Sequence, residues 1–235
     1  MRVTLDYFDI EYTKKDEKYI DLVIEELKEK KYRDYEFFNL EKLSRKIQIK
    51  FWSSLKEYRD FFNKRMEKYN KKVNDWEVGR ATNNQKECRI DLLCLSERKK
   101  CKGHAEDTID NLLKVTIHEF THICHLEYSN RLPSMTWFLE ALATNLSNQY
   151  DNLDINCSLE DILEGKAHYS NYYAMGKYLL DNYDRSYILE LAKNKDLLES
   201  ETEKIFIHAV EYSKTNQKKL DSLSKSSNNF HNPPD

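Results

Sequence analysis

The run His118-Glu119-Phe120-Thr121-His122 sets two imidazoles four residues apart, with a carboxylate directly after the first. On a helix the two histidines lie about 6 Å apart along the axis and close to one face, so both rings can turn toward a single ion. Glu119 stands about 100° round the same helix, where its carboxylate can reach a water at that ion without ligating it. A cation there lowers the pKa of the water, and the carboxylate can take its proton as the water attacks a carbonyl. The plainer alternative is a helix that happens to carry two histidines and an ordinary glutamate. The surrounding sequence has to choose between them.

A hydrolytic zinc commonly takes three protein ligands and keeps a fourth position open. Glu140 is the candidate for the third, because it stands alone in the apolar stretch Trp137-Phe138-Leu139-Glu140-Ala141-Leu142-Ala143. An unpaired carboxylate would be costly there, and a cation would remove that cost. His125, three residues after the motif, reads as a group at the edge of the pocket rather than a ligand.

Both candidate ligand groups fall on segments of helical spacing. Asp107 to Leu126 carries Ile109, Leu112, Leu113, Ile117, Phe120 and Cys124 along one face, and a second helix is expected from about Ser134 to Tyr150. Upstream, Leu5 to Tyr12 reads as a strand with a kink, Lys15 to Lys31 as a helix, and Ile47 to Phe51 as a second strand. Ser53 or Ser54 can cap the helix that carries Tyr58, Phe61 and Phe62. Trp76 to Thr82, with Gly79, suits a strand or turn, and Arg89 to Leu95 a further strand. The C-terminal third reads as short helices, with capping-box sequences at Ser158-Leu159-Glu160-Asp161 and Ser200-Glu201-Thr202-Glu203. From about Thr215 the apolar spacing fades, and the segment to Asp235, His231 included, is expected to be disordered and inert.

The fold class implied is α+β. One domain over 1–214 would comprise a mixed lobe at 1–103 and a helical lobe at 104–214, followed by a tail at 215–235. Four glycines and three prolines in 235 residues favour long helices over a turn-rich sandwich.

Charge excludes other functions. With 38 basic and 41 acidic residues there is no excess to meet nucleic acid. The densest basic stretch, Arg98-Lys99-Lys100-Cys101-Lys102, reads as a solvated loop. Five cysteines without a CxxC pair argue against a disulfide framework and for a reducing compartment. The N-terminus is too charged for a signal peptide, and no apolar run approaches the ~20 residues of a membrane helix. A cytoplasmic location and no membrane partner are expected. Asn145-Leu146-Ser147 matches a glycosylation sequon but falls inside a helical pattern.

The motif, the 17 residues that follow it and Glu140 within Trp-Phe-Leu-Glu-Ala-Leu-Ala resemble the gluzincin metallopeptidases. The pattern is similar to the aminopeptidase N family and, more closely, to the compact peptidase MA-like domains, over roughly residues 4 to 212. This resemblance implies a zincin-like (thermolysin-like) fold, with a small mixed sheet ahead of a helical lobe. It implies Zn2+ held by His118, His122 and Glu140, Glu119 as general base, and a peptide or protein substrate. Tyr173-Ala174-Met175-Gly176 resembles the Tyr-x-x-Gly segment of the aminopeptidase N family, whose tyrosine hydroxyl stabilises the oxyanion. Tyr173 takes that role by resemblance, with Tyr172 as the neighbouring alternative.

Departures narrow the expectation. A metzincin would need glycine at 125 and histidine at 128, where this chain has His125 and Tyr128. Ala141 stands where the resembled family has glycine. No Gly-x-Met-x-Asn segment for binding a free amine precedes the motif, and Arg89 to Leu95 occupies that place. An edge strand there would pair with an extended peptide, which favours an endopeptidase over a broad aminopeptidase. The alternative is a catalytically inactive gluzincin-like binding or regulatory protein with structural zinc, marked by His125 or Cys124 as a fourth ligand.

Overall fold

The computed structural model describes residues 1–132 and 134–228, with side chains to residue 216. Two compact units emerge, Met1–Leu132 and Pro133–Asp235. Each is built on its own logic.

The first unit rests on five short strands: β1 (Arg2–Thr4), β2 (Phe8–Glu11), β3 (Ile47–Trp52), β4 (Gly79–Asn83) and β5 (Cys88–Leu93). Their order is β1-β2-β3-β5-β4. β2, β3 and β5 run parallel, and antiparallel β1 and β4 form the two edges. Period-two alternation is clearest in β3, where Ile47, Ile49 and Phe51 are buried and Gln48 is exposed. Of the kinked strand expected over Leu5–Tyr12, Phe8–Glu11 is strand β2 and Leu5 starts the turn that joins it to β1, closed by Leu5 N–H donating to Phe8 O at 2.8 Å. The expectation of an edge strand at Arg89–Leu95 is also corrected. β5 lies between β3 and β4, and five of its six residues are buried, as an interior strand requires.

Helices α1 (Glu17–Phe37), α2 (Leu55–Met66), α3 (Leu95–Arg98) and α4 (Ile109–Tyr128) complete this unit. α1 runs six residues past the apolar spacing because its buried face turns polar: Lys31 and Asp34 are both inside. Lys31 Nζ sits 3.6 Å from the centre of the Tyr7 ring, a cation–π contact that lets the amine be covered. Ser54 caps α2 by accepting from Glu57 N–H at 3.2 Å. Tyr58 and Phe62 of α2 join Trp52, Val78, Leu93 and Cys101 in a cluster on one sheet face. α4 packs against α1 and β4 on the other. The lobe boundary expected at 103/104 therefore moves to 132/133, because α4 belongs with the sheet.

The basic stretch after β5 is only partly a solvated loop. Arg98 is 1% exposed and is ion-paired with Asp107 at 2.6 Å. His104 Nδ1 lies 3.0 Å from the same carboxylate.

The second unit is helical: α5 (Thr136–Leu146), α6 (Leu159–Leu163), α7 (Tyr169–Asn182), α8 (Arg185–Lys193) and α9 (Lys195–Asn228). α5 and α9 pack on α7. The Ser158 capping box forms reciprocally with Asp161. The Ser200 sequence does not start a helix. It lies inside α9, where its hydroxyl donates back to Leu197 O at 2.9 Å. The backbone stays helical through Asn228, so the disorder expected from 215 gives way to helix there, and His231 lies outside the described residues. Among the described residues, no helix is long and apolar enough to cross a membrane.

Candidate metal centre

α4 begins where Thr108 and Asn111 exchange hydrogen bonds in a capping box, Thr108 N–H donating to Asn111 Oδ1 at 2.8 Å. From that start the 3.6-residue period places Phe120 toward the sheet. Its ring meets Phe8 of β2 edge-on at 6.0 Å and stacks on Tyr35 of α1 at 6.2 Å. His118 and His122 then share the adjacent face, one turn apart. Their Nε2 atoms are 3.0 Å apart and their ring planes are nearly perpendicular, at 87°. Two nitrogens each about 2.0–2.1 Å from one tetrahedral zinc stand roughly 3.3 Å apart, so the pair is presented close to the separation that ion needs.

Glu119 is buried to 8% exposure and lies against the edge strand. A Cβ built on Gly79 of β4 would come within 2.8 Å of Glu119 Oε1 and 3.0 Å of Val115 Cγ1. The carboxylate thus occupies space that any other residue at 79 would take. This is a signal that sequence reading missed, since Gly79 suited a turn equally well. Behind it, Tyr58 donates to Glu77 Oε1 at 2.9 Å and Arg80 grips both Glu77 oxygens at 2.8 and 2.6 Å. Burial, then the charge and hydrogen bond of Glu77, then the charge of Glu119 push the Tyr58 hydroxyl well up.

The ladder fixes what β4 offers outward. Leu93 N–H donates to Val78 O and Asn84 N–H to Glu87 O, each at 2.9 Å. Bonded pairs alternate in an antiparallel ladder, so Arg80 and Thr82 turn their backbone groups to β5. The N–H and C=O of Gly79 and Ala81 point away from the sheet.

In the second unit Glu140 sits on α5. The charge of Glu140 reaches two hydroxyls there. Tyr172 is pushed up to about 12, first by burial and then by Glu140, and Tyr150 is raised by the same two causes in the same order. Tyr173 is also raised by burial, but the charges that reach it are Lys177, Asp151 and Asp181. Its ring lies 6.2 Å from Tyr150. Of the two tyrosines weighed from the sequence, Tyr172 is the one whose hydroxyl the charge of Glu140 reaches.

His118, His122 and Glu140 each offer a ligand atom, and all three atoms lie within 4.8 Å of one another. They form a group able to hold a metal ion, and neither Cys124 nor His125 belongs to it. Cys124 is wholly buried, and burial followed by the charge of Asp34 on α1 pushes its thiol well up. The His125 ring packs 5.5 Å from Phe38. Burial, then the charge of His122, holds it down at about 3 and so neutral.

No family model, curated protein or solved structure matches the chain.

Proposed function

We propose that this chain is a zinc-dependent peptidase of the gluzincin kind with a zincin-like fold, acting on peptide or protein substrates. The observation that carries the reading is the three-ligand group of His118, His122 and Glu140 with Glu119 beside it. Two imidazoles and a carboxylate are a donor set that suits zinc and leaves a fourth position open. Zinc bound there supplies Lewis acidity, polarising a carbonyl and lowering the pKa of water.

The protein's own groups do the rest. Glu119 takes the proton of the attacking water and returns it to the leaving amine. Gly79, by lacking a side chain, leaves the carboxylate its place. The outward N–H and C=O groups of Gly79 and Ala81 pair with the backbone of an extended substrate, which is how a sheet edge recognises a peptide without reading its sequence. Tyr173 or its neighbour Tyr172, both kept protonated by burial, donates a hydrogen bond to the oxygen that gains charge. An edge strand with no free-amine site of its own suits cleavage within a chain.

Metal analysis of chelator-free protein should find one zinc per chain. Glu119→Gln should keep that zinc and lower kcat/KM on a peptide library by about 100- to 10,000-fold. Protein without stoichiometric zinc refutes the site, and activity that survives the substitution refutes the mechanism.

A further inference from the structure

On a helical wheel centred on His118, Phe120 lies about 200° round and Thr121 about 300°, with His122 at about 40°. Phe120 fills the sheet side and Glu119 abuts Gly79. Thr121 takes the side toward α1, where its hydroxyl donates to Asp34 Oδ2 at 2.7 Å. Both groups are sealed, at 1% and 0% exposure. The other Asp34 oxygen accepts from Arg33 Nε at 2.9 Å and Nη2 at 2.6 Å.

Burying a carboxylate on a helix–helix contact is expensive unless every lone pair is used. An apolar pair would fill the same space at less cost. What the polar pair adds is direction. A hydroxyl bonded to one carboxylate oxygen tolerates little rotation of α4, whereas a ring in a greasy slot tolerates more. The imidazole nitrogens stand some 6 Å from the helix axis, so a rotation of about 10° carries both by about 1 Å, beyond the roughly 0.5 Å tolerance of a preorganised site.

From this geometry we infer that Asp34 and Thr121 are positioning residues for the metal site: their buried hydrogen bond sets the rotation of α4 at which His118 and His122 face one ion. This rests on the zinc reading. Neither residue touches the metal or the substrate, and neither was singled out by the motif, in which Thr121 occupies a variable position.

The test uses the full-length protein loaded with Co2+ in place of zinc, comparing wild type with Thr121→Val, Thr121→Ser and Asp34→Leu. Thr121→Val keeps the side-chain shape and removes the hydroxyl, Thr121→Ser keeps the hydroxyl, and Asp34→Leu removes the acceptor. Thr121→Val and Asp34→Leu should shift and weaken the visible cobalt bands and lower zinc affinity about 10-fold, while Thr121→Ser stays near wild type. Should Asp34→Leu fail to fold, the two Thr121 variants decide alone. Wild type that shows no cobalt bands overturns the zinc reading and this inference together. Wild-type bands that persist unaltered in Thr121→Val, at unchanged zinc affinity, overturn the positioning role and leave the zinc reading standing. A lowered melting temperature with an unchanged spectrum also overturns it.

Discussion

α4 and α5 each present ligand atoms, and they are held in opposite ways. α4 is fixed by side chains that reach outward: Phe120 into the sheet, Thr121 onto Asp34, and Asn83 Nδ2 donating to Ile123 O at 3.2 Å. α5 is fixed by a side chain that is absent together with one that bridges. Gly176 of α7 comes so close that a Cβ there would lie 2.5 Å from Ala141 O and 2.9 Å from Ala141 C. Asn145 then bridges the two helices, its Nδ2 donating to Ala141 O and to Tyr173 O, each at 2.8 Å. The first arrangement controls rotation about an axis, and the second controls the distance between two backbones. A glycine serves in both units, but against different neighbours. Gly79 meets only side chains, the Glu119 carboxylate and Val115, whereas Gly176 meets the main chain of Ala141 as well as the Asn145 amide.

That difference sets the largest expected effect. In Gly79→Ala the new methyl displaces the Glu119 carboxylate, which can rotate aside at little cost to the fold. Stability should stay within about 1 kcal/mol of wild type. Misplacing the base by about 1 Å should lower kcat/KM about 100-fold, with zinc content unchanged. Steady-state kinetics and a urea melt on the same sample test both halves. A variant that loses stability but keeps activity would mean that Glu119 does not depend on Gly79.

Gly176→Ala should show the reverse. The methyl meets backbone that cannot rotate away, so α5 and α7 must separate. Overpacking should cost about 1–3 kcal/mol, even after the gain of alanine over glycine in helix propensity. Glu140 directly precedes the displaced Ala141, so zinc affinity should fall with stability. Thermal melts with and without zinc, beside a metal-competition titration, read both. Unchanged melting would show that the close approach of α5 and α7 is not maintained in solution.

The same contrast governs what the sequence makes legible. α4 can be read from residue types, because two histidines four residues apart and an apolar stripe leave marks at helical spacing, whereas its cap at Thr108 goes unread. β3 is equally plain, since its inward positions are Ile47, Ile49 and Phe51. The end of α1 is not, because Lys31 and Asp34 mimic a solvated face and their burial depends on Tyr7 and Thr121, distant in sequence. Arg98 hides in the same manner behind Asp107. The choice between Tyr172 and Tyr173 lies out of reach for a different reason. Adjacent helical residues diverge by about 100°, and only the placement of α7 on α5 decides which one meets Glu140. The Gly176 contact leaves a single small residue as its trace, which matches a Tyr-x-x-Gly pattern without revealing what the glycine is for.

The smallest expected effect lies at the helix ends. The last turn of α4 is tied by charge. Glu127 accepts from Ser44 N–H at 2.9 Å, from Asn83 Nδ2 at 3.2 Å and from Arg131 at 2.8 Å. Burial opposes ionisation of Glu127, but these bonds and the Arg131 charge outweigh it and hold its carboxyl below the ordinary value. The last turn of α5 carries no titratable side chain and closes with Ser147 Oγ donating to Ala143 O at 2.7 Å. A carboxyl with a depressed folded pKa contributes stability that is complete above its unfolded value and is lost as pH falls through the folded one. Lowering pH below about 4 should therefore loosen the end of α4 by less than about 1 kcal/mol and leave the end of α5 unaffected. Amide exchange at Leu126–Tyr128 and at Asn145–Ser147, corrected for intrinsic rates, measures each separately. Glu127→Gln should flatten the first profile without altering the second. If both ends open together as pH falls, the acid response is global and the two helices do not differ in how their ends are held.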